Sequence, residues 1–414
     1  MAVKFPQNSP YAVLNLPEFR YFILGRFIFI MGLRMTGTII GWWMYLLTAD
    51  PLALGLVGLS EVIPALTLAL YAGHYIDQHE KRRLLLKCIL FYTICIGALI
   101  FLASPFANST FNKWTIAALI CSVIAVTGAI RAFAGPTFSA MIAQIVSKNV
   151  LPNAASISSA TWLIGSISGH ALGGFTIAYL GIFKSFFVVI AFVIIGFLLL
   201  RNIAVKPILY KATGNTIKSI IEGVQYVFKT KEILGAMTLD LFAVLFGGAV
   251  ALVPVFAKDI LHVSPVGFGW LNAAMDIGSI IMVTILTIKP LQRNQGRILF
   301  FAVGAFGICI ICFALSKLFW LSFFALMIAG CMDGISVIIR STILQLKTPD
   351  ELRGRVMSVN SMFINSSNEL GQFESGLAAR LLGTVRSVVF GGCMTLGVAL
   401  FTWFKAPSLR KMEY

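Results

Sequence analysis

Leu52–Ala103 reads LALGLVGLSEVIPALTLALYAGHYIDQHEKRRLLLKCILFYTICIGALIFLA. Two apolar runs, 52–76 and 84–103, flank the charged stretch Asp77–Arg83. An α-helix needs roughly 20 predominantly apolar residues to cross the hydrocarbon core of a bilayer, and each run supplies about that. The stretch between them holds Asp77, Glu80, Lys81, Arg82 and Arg83, too many charges to enter lipid. The segment therefore reads as two membrane spans joined by a polar turn.

The same alternation continues in both directions. Twelve apolar runs are legible, at about 19–48, 52–76, 84–103, 114–140, 152–180, 183–203, 233–257, 266–288, 298–316, 319–345, 356–382 and 385–404. Composition agrees: 58% of the 414 residues are hydrophobic, 12% are charged, and mean hydropathy is +0.91. A soluble domain carries about 25% charged residues, so this chain has too little polar material to coat a globule in water. The expected fold class is all-α integral membrane, twelve transmembrane helices in two pseudo-symmetric six-helix halves. A disordered chain and a disulfide-rich secreted scaffold are excluded by the same figures.

The formal net charge of +16 would point to nucleic acid if the cations were clustered on one soluble face. They are not. On one side of the expected topology fall Lys4, Arg20, Lys81, Arg82, Arg83, Lys87, Lys148, Arg201, Lys206, Lys211, Lys218, Lys229, Lys231, Lys289, Arg293, Arg297, Lys347, Arg353, Arg355, Lys405, Arg410 and Lys411, which is 22. The other side holds Lys113, Lys184, Lys258, Lys317 and Arg386, which is 5. Cytoplasmic loops carry such an excess, so both termini are expected in the cytoplasm and no nucleic-acid partner is expected. The first ten residues have no apolar core, so no cleaved signal peptide is expected there.

The longest polar stretch, 204–232, separates an N-terminal half (1–203) from a C-terminal half (233–414). Within it Ile217, Ile220, Ile221, Val224, Val227 and Phe228 recur at helical spacing, with Lys218, Glu222, Gln225 and Lys229 between them. This predicts an amphipathic linker helix at the membrane surface. The halves echo each other: Gln144 and Asn153 are matched by Gln345 and Gly354 at the same spacing, each pair spanning a polar turn before a helix rich in small residues. Duplicated helical halves are the common plan of secondary transporters.

Gly73, Asp77, Arg82 and Arg83 resemble the loop between the second and third spans of the major facilitator superfamily, G-x-x-x-D-R-x-G-R-R. Gln78 and Glu80 depart from it. The resemblance implies a gating loop of Gly73, Asp77, Lys81, Arg82 and Arg83, in which Gly73 allows close helix packing and Asp77 pairs in one conformation. Arg131 with Gly135 is similar to a motif of the fourth span. Gly165, Gly169, Gly173 and Gly174 resemble the glycine-rich antiporter helix, although His170 stands where that motif has Pro. Thr348–Ser358 leading into Ser366–Gly376, together with Gly223–Tyr226, resembles the branch that contains enterobactin exporters and macrolide-efflux proteins. Over nearly the whole chain the resemblance implies an inner-membrane exporter without naming its cargo.

The residues themselves point the same way. Glu61, Asp240, Asp276, Asp333, Glu369 and Glu374 are acids inside predicted spans, and Arg26, Arg34, Arg131 and Arg340 are cations at similar depth. A charge facing lipid costs about 2.5–3.5 kcal/mol on insertion scales, so these groups are expected to face a cavity or one another. Carboxyl groups in such places can load and release protons. Glu369, in the most polar span, is the first choice for proton coupling, followed by Asp276, Asp333 and Glu374. Arg34, Arg131, Asp240, Glu61 and Arg340 are the expected substrate-cavity residues. For each singly, a structural pair with an intramembrane Arg is the alternative. Trp42, Trp43, Trp162 and Trp270 read as interfacial belt residues, with aromatic walls for an amphiphilic solute as the alternative.

The seven cysteines, an odd number all within predicted spans, read as reduced packing residues. The four histidines have no metal spacing, and no phosphate-binding loop or hydrolase motif is present. No cofactor, no metal site and no enzymatic activity are expected. The expected partners are a small-molecule substrate, protons and membrane lipids, and the expected state is a monomer. The functional reading is proton-coupled export of a small amphipathic molecule, a siderophore or hydrophobic drug, by alternating access. A lipid or lysophospholipid flippase, a divalent metal-ion exporter and a non-transporting receptor or assembly factor are the alternatives.

Overall fold

A computed structural model describes residues 11–207 and 216–413. Lys4 and Lys211 lie outside the described residues, as do the side chains of Lys148, Ile217, Lys218, Ile220, Asp350 and Glu351. The described chain is helical throughout and contains no strand. Its helices are α1 (Pro17–Thr48), α2 (Pro51–Gln78), α3 (Lys81–Ala103), α4 (Pro105–Thr110), α5 (Lys113–Ile145), α6 (Leu151–Arg201), α7 (Thr216–Lys229) and α8 (Lys231–Phe246). They continue with α9 (Val253–Val255), α10 (Pro265–Ile288), α11 (Gln295–Leu315), α12 (Phe319–Lys347), α13 (Asp350–Leu382), α14 (Thr384–Lys405) and α15 (Pro407–Arg410).

Among the described residues, ten helical stretches are long and apolar enough to cross a membrane. The 51-residue α6 is one of them, and it breaks at Gly181, where φ is +75° and ψ 170°. That backbone conformation is essentially reserved for glycine, and it falls between the fifth and sixth predicted spans. α13 has a span's length but is too polar for the apolar group, because Asn365, Ser366, Ser367, Asn368, Glu369 and Gln372 crowd its middle. Dividing α6 and adding α13 gives twelve. The seventh span departs from expectation: α8 stops at Phe246, and Gly247–Gly248 pass into a 3-10 turn (Ala249–Leu252), α9 and a π turn (Phe256–Ile260). Gly248 makes this break possible, since a Cβ there would press on the Gly371 carbonyl of α13 at 2.8 Å.

The internal repeat extends to the turns. Gly383, between α13 and α14, has φ +87° and ψ 151°, the same conformation as Gly181, and stands 202 residues after it. Ala49 and His262, the other matched pair, have φ of 51° and 48°. Each lies shortly before a helix that begins at a proline, Pro51 and Pro265. Pro at the first helical position is pre-set in φ and lacks an N–H that would go unsatisfied.

Two compact units emerge, Met1–Trp43 with Ile63–Thr213, and Met44–Val62 with Gly214–Tyr414. The stretch Met44–Val62 thus groups with the later part of the chain. In the first unit α6 packs on α1 through small residues: Cβ atoms at Gly165, Gly169 and Gly173 would crowd Ile30, Met31 and Thr38 respectively. In the second, α10 packs on α12 so tightly that a Cβ on Gly278 would overlap the Met327 carbonyl, and one on Gly330 the Met275 carbonyl. Without a hydrophobic drive between helices in lipid, such backbone-to-backbone seams supply the van der Waals attraction that holds spans together.

Candidate functional site

In the second unit four intramembrane charges, Asp240, Asp276, Asp333 and Arg340, converge. Asp240 on α8 and Arg340 on α12 form an ion pair, both residues only 6% exposed. Arg340 Nε also donates to the Ser336 carbonyl one turn earlier at 3.3 Å, which fixes the direction of the guanidinium. Asp240, Asp333 and Ser336 line one small cavity, closed by Val303 and Phe306 of α11. Asp276 of α10 is near enough for its charge to act on Asp333. The Gly278–Gly330 seam explains that approach, because Asp276 and Asp333 each lie within three residues of it. Four residues scattered over a hundred positions in sequence become one cluster.

Glu369, the first choice for coupling on sequence grounds, is 6% exposed and accepts from Gln372 Nε2 at 2.8 Å. A Cβ on Gly58 of α2 would touch Gln372 Cβ at 2.9 Å and the Glu369 carbonyl at 3.1 Å. Glu374 is half-buried further along α13, and Glu61 is half-buried on α2. Neither Glu61 nor Glu369 lines the Asp240–Asp333 cavity.

In the first unit Arg34 lies over the Trp162 ring at 4.9 Å, a cation–π contact. One turn on from Arg34, Thr38 Oγ1 is 2.8 Å from His170 Nδ1. His170 is thus held on the α1–α6 seam beside Gly169 and Gly173, with Gly174 buried next to them. Arg26 donates to Ser158 and lies over Phe138. Arg131 is half-buried on α5. Trp42 and Trp43 are buried at 7% and 5% exposure. Trp43 packs edge-on against Phe186.

The expected gating loop joins α2 to α3. Among the described residues, none outside its own helix turn comes within 4 Å of a Cβ placed on Gly73. Asp77 is exposed. Lys81, by contrast, is 8% exposed, and its ammonium donates to the Ile76, Asp77 and His79 carbonyls at 2.7, 3.2 and 3.2 Å. It caps the C-terminus of α2, where the helix dipole favours a cation. Glu80, one of the departures from the family pattern, accepts from the Arg82 and Arg83 N–H groups at 3.0 and 2.8 Å and caps α3. Arg82 reaches the Arg201 carbonyl at the end of α6.

Four further contacts have no counterpart in the sequence analysis. Tyr45 donates to Asp259, whose neighbour Lys258 lies 5.4 Å over the Tyr45 ring. Asp50 caps α2 through the Leu52 N–H at 2.9 Å and pairs with Arg380 at 3.5 Å. Ser336 had no signal in sequence, since serines are frequent in membrane helices. The Asp50-Pro51 pair was a readable cap signal.

Residues 22–372 match the Major Facilitator Superfamily. The chain belongs to the Major Facilitator Superfamily. It is 24% identical over 405 residues to an enterobactin exporter, EntS, of Citrobacter koseri, covering 96% of this chain and 94% of that one. It is also 24% identical over 366 residues to the MFS-type transporter YfmI of Bacillus subtilis, covering 86% of each. Among solved structures it resembles a D-xylose-proton symporter (TM-score 0.75, 13% identity, 96% of this chain and 99% of that). It likewise resembles the nucleoside transporter NupG (TM-score 0.73, 14% identity, 95% and 99%). At such identities the likeness establishes the fold. This superfamily member is therefore a multi-pass membrane transporter and not an enzyme. Among its described residues no group of three or more His, Cys, Asp or Glu is placed to hold a metal ion, and Asp240 is already engaged by Arg340.

Proposed function

We propose that this superfamily member exports a small amphipathic molecule, a siderophore or hydrophobic drug, across the bacterial inner membrane in exchange for protons. The carrying observation is the Asp240–Arg340 ion pair buried beside a cavity shared with Asp333. A carboxyl group in that setting is close to a fixed cation and to the Asp276 charge, so its protonation changes the local balance of charge. Glu369 and Glu374 are a second carboxylate set on α13. Similarity to enterobactin exporters supports an outward-moving cargo. The reading also has halves at 1–203 and 233–414 joined by 204–232, both termini in the cytoplasm, and a monomer in contact with lipid.

Reconstituted proteoliposomes with an imposed pH gradient test this, with enterobactin and a hydrophobic dye as probes. Asp333→Asn is expected to abolish gradient-driven flux while leaving gradient-independent exchange. Flux that ignores the gradient in the unaltered protein would sink the coupling.

A further inference from the structure

Ser336 is 3% exposed, and its Oγ has no hydrogen-bond partner among the described residues. Serines in helices usually donate back to a carbonyl three or four residues earlier. Ser341 and Thr342, further along α12, both donate to the Ile338 carbonyl at 2.9 Å. Ser336 does not. Ser336 lines the cavity between α8, α11 and α12, whose other polar lining residues are Asp240 and Asp333. Buried polar groups in proteins are almost always satisfied, by protein or by ordered water.

Size selects the occupant. The cavity offers about 10 Å3 to the centre of a water molecule, which is room for about one. A water there also needs two to four polar partners, and three line the wall.

We propose that a single ordered water occupies this cavity, bridges Ser336 Oγ to the Asp333 carboxyl, and links Asp333 to the Asp240–Arg340 pair. Ser336 is a positioning residue that orients the water. The inference rests on the proton coupling proposed for Asp333. A proton leaving the Asp333 carboxylic acid goes to the water oxygen as the water gives one of its own protons to the Asp240 carboxylate. Water is regenerated, Asp333 becomes the anion, and Asp240, now neutral, no longer balances Arg340. The groups facing this path are Asp276 from α10, Asp240 from α8 and Arg340 from α12. α11 contributes only the apolar Ala302, Val303 and Phe306.

Infrared difference spectra of the full chain in lipid, stepped in pH, test it without any cargo. The unaltered protein should show a carboxylic-acid band that Asp333→Asn removes, and a water O–H band that shifts in oxygen-18 water. Ser336→Ala should abolish the water band and move the midpoint of the carboxyl band about tenfold in proton concentration, the effect of losing one hydrogen-bonded link. Ser336→Thr, which keeps the hydroxyl, should restore both. An unchanged water band and midpoint in Ser336→Ala overturns the water link while leaving Asp333 in place. A carboxyl band that survives Asp333→Asn overturns the coupling reading instead.

Discussion

Asp240 and Arg340 stand one hundred residues apart in the chain and form an ion pair buried in the second unit. Removing ions from water costs several kcal/mol each, and only a close, hydrogen-bonded geometry offsets it. Arg340 meets that condition through its second bond to the Ser336 carbonyl. The pair is therefore a conditional element: stable while both partners are charged, costly when one is not.

Arg340→Leu should lower stability by about 3–5 kcal/mol, because it leaves an uncompensated buried carboxylate. Asp240→Leu combined with Arg340→Leu should recover most of that loss. Thermal unfolding in detergent micelles, analysed as a double-mutant cycle, reads the difference. Simple additivity of the two single changes would refute the pairing.

The α1–α6 seam sets a second expectation. Gly169→Val forces a side chain against the Met31 carbonyl, 2.7 Å from a Cβ there, and should destabilise by about 1–3 kcal/mol. Gly73→Ala, with no neighbour within 4 Å, should be neutral to about 0.5 kcal/mol. Equal effects in a melting comparison would contradict the packing described here.

Lys81→Met removes an ammonium that donates to three carbonyls at the end of α2 and should cost about 1–3 kcal/mol. Arg83→Gln touches a side chain 73% exposed and 3.7 Å from Glu80, so its effect on melting should be near zero. If Arg83→Gln proves the more damaging of the two, Lys81 is not the structural cation of this loop.

The linker helix α7 docks on the start of α13. Glu222 pairs with Arg355, Tyr226 donates to the Lys347 carbonyl, and a Cβ on Gly223 would sit 3.1 Å from the Arg355 backbone. Gly223→Val should loosen this contact and raise hydrogen exchange across 221–229 severalfold. Glu222→Gln alone, in a pair 38% exposed on each side, should change it little. Protection unchanged in Gly223→Val would show that α7 is held by other means.

Much of this was readable before any coordinates. Apolar runs of span length gave the helices to within a few residues, because lipid forces every backbone group to be satisfied within its own helix. Gly223–Tyr226 and Thr348–Ser358 carry one resemblance in the sequence, and the structure joins them where Gly223 meets Arg355. The seventh span was harder: Gly247–Gly248 lies in an otherwise apolar run, and only packing against Gly371 explains why the helix ends there. Glu369 ranked first because its neighbours in sequence are polar. Asp333 ranked lower because the charged groups near it in space, Asp240 and Asp276, are distant in sequence.

Composition and periodicity alone made this a membrane chain of repeated helices, since hydropathy is a local property that each segment carries with it. The tertiary structure decided which charges meet. Asp240 with Arg340, Asp276 with Asp333, and Glu222 with Arg355 are matters of angle and distance between helices. Those depend on where small residues let backbones touch, and no single helix encodes that by itself.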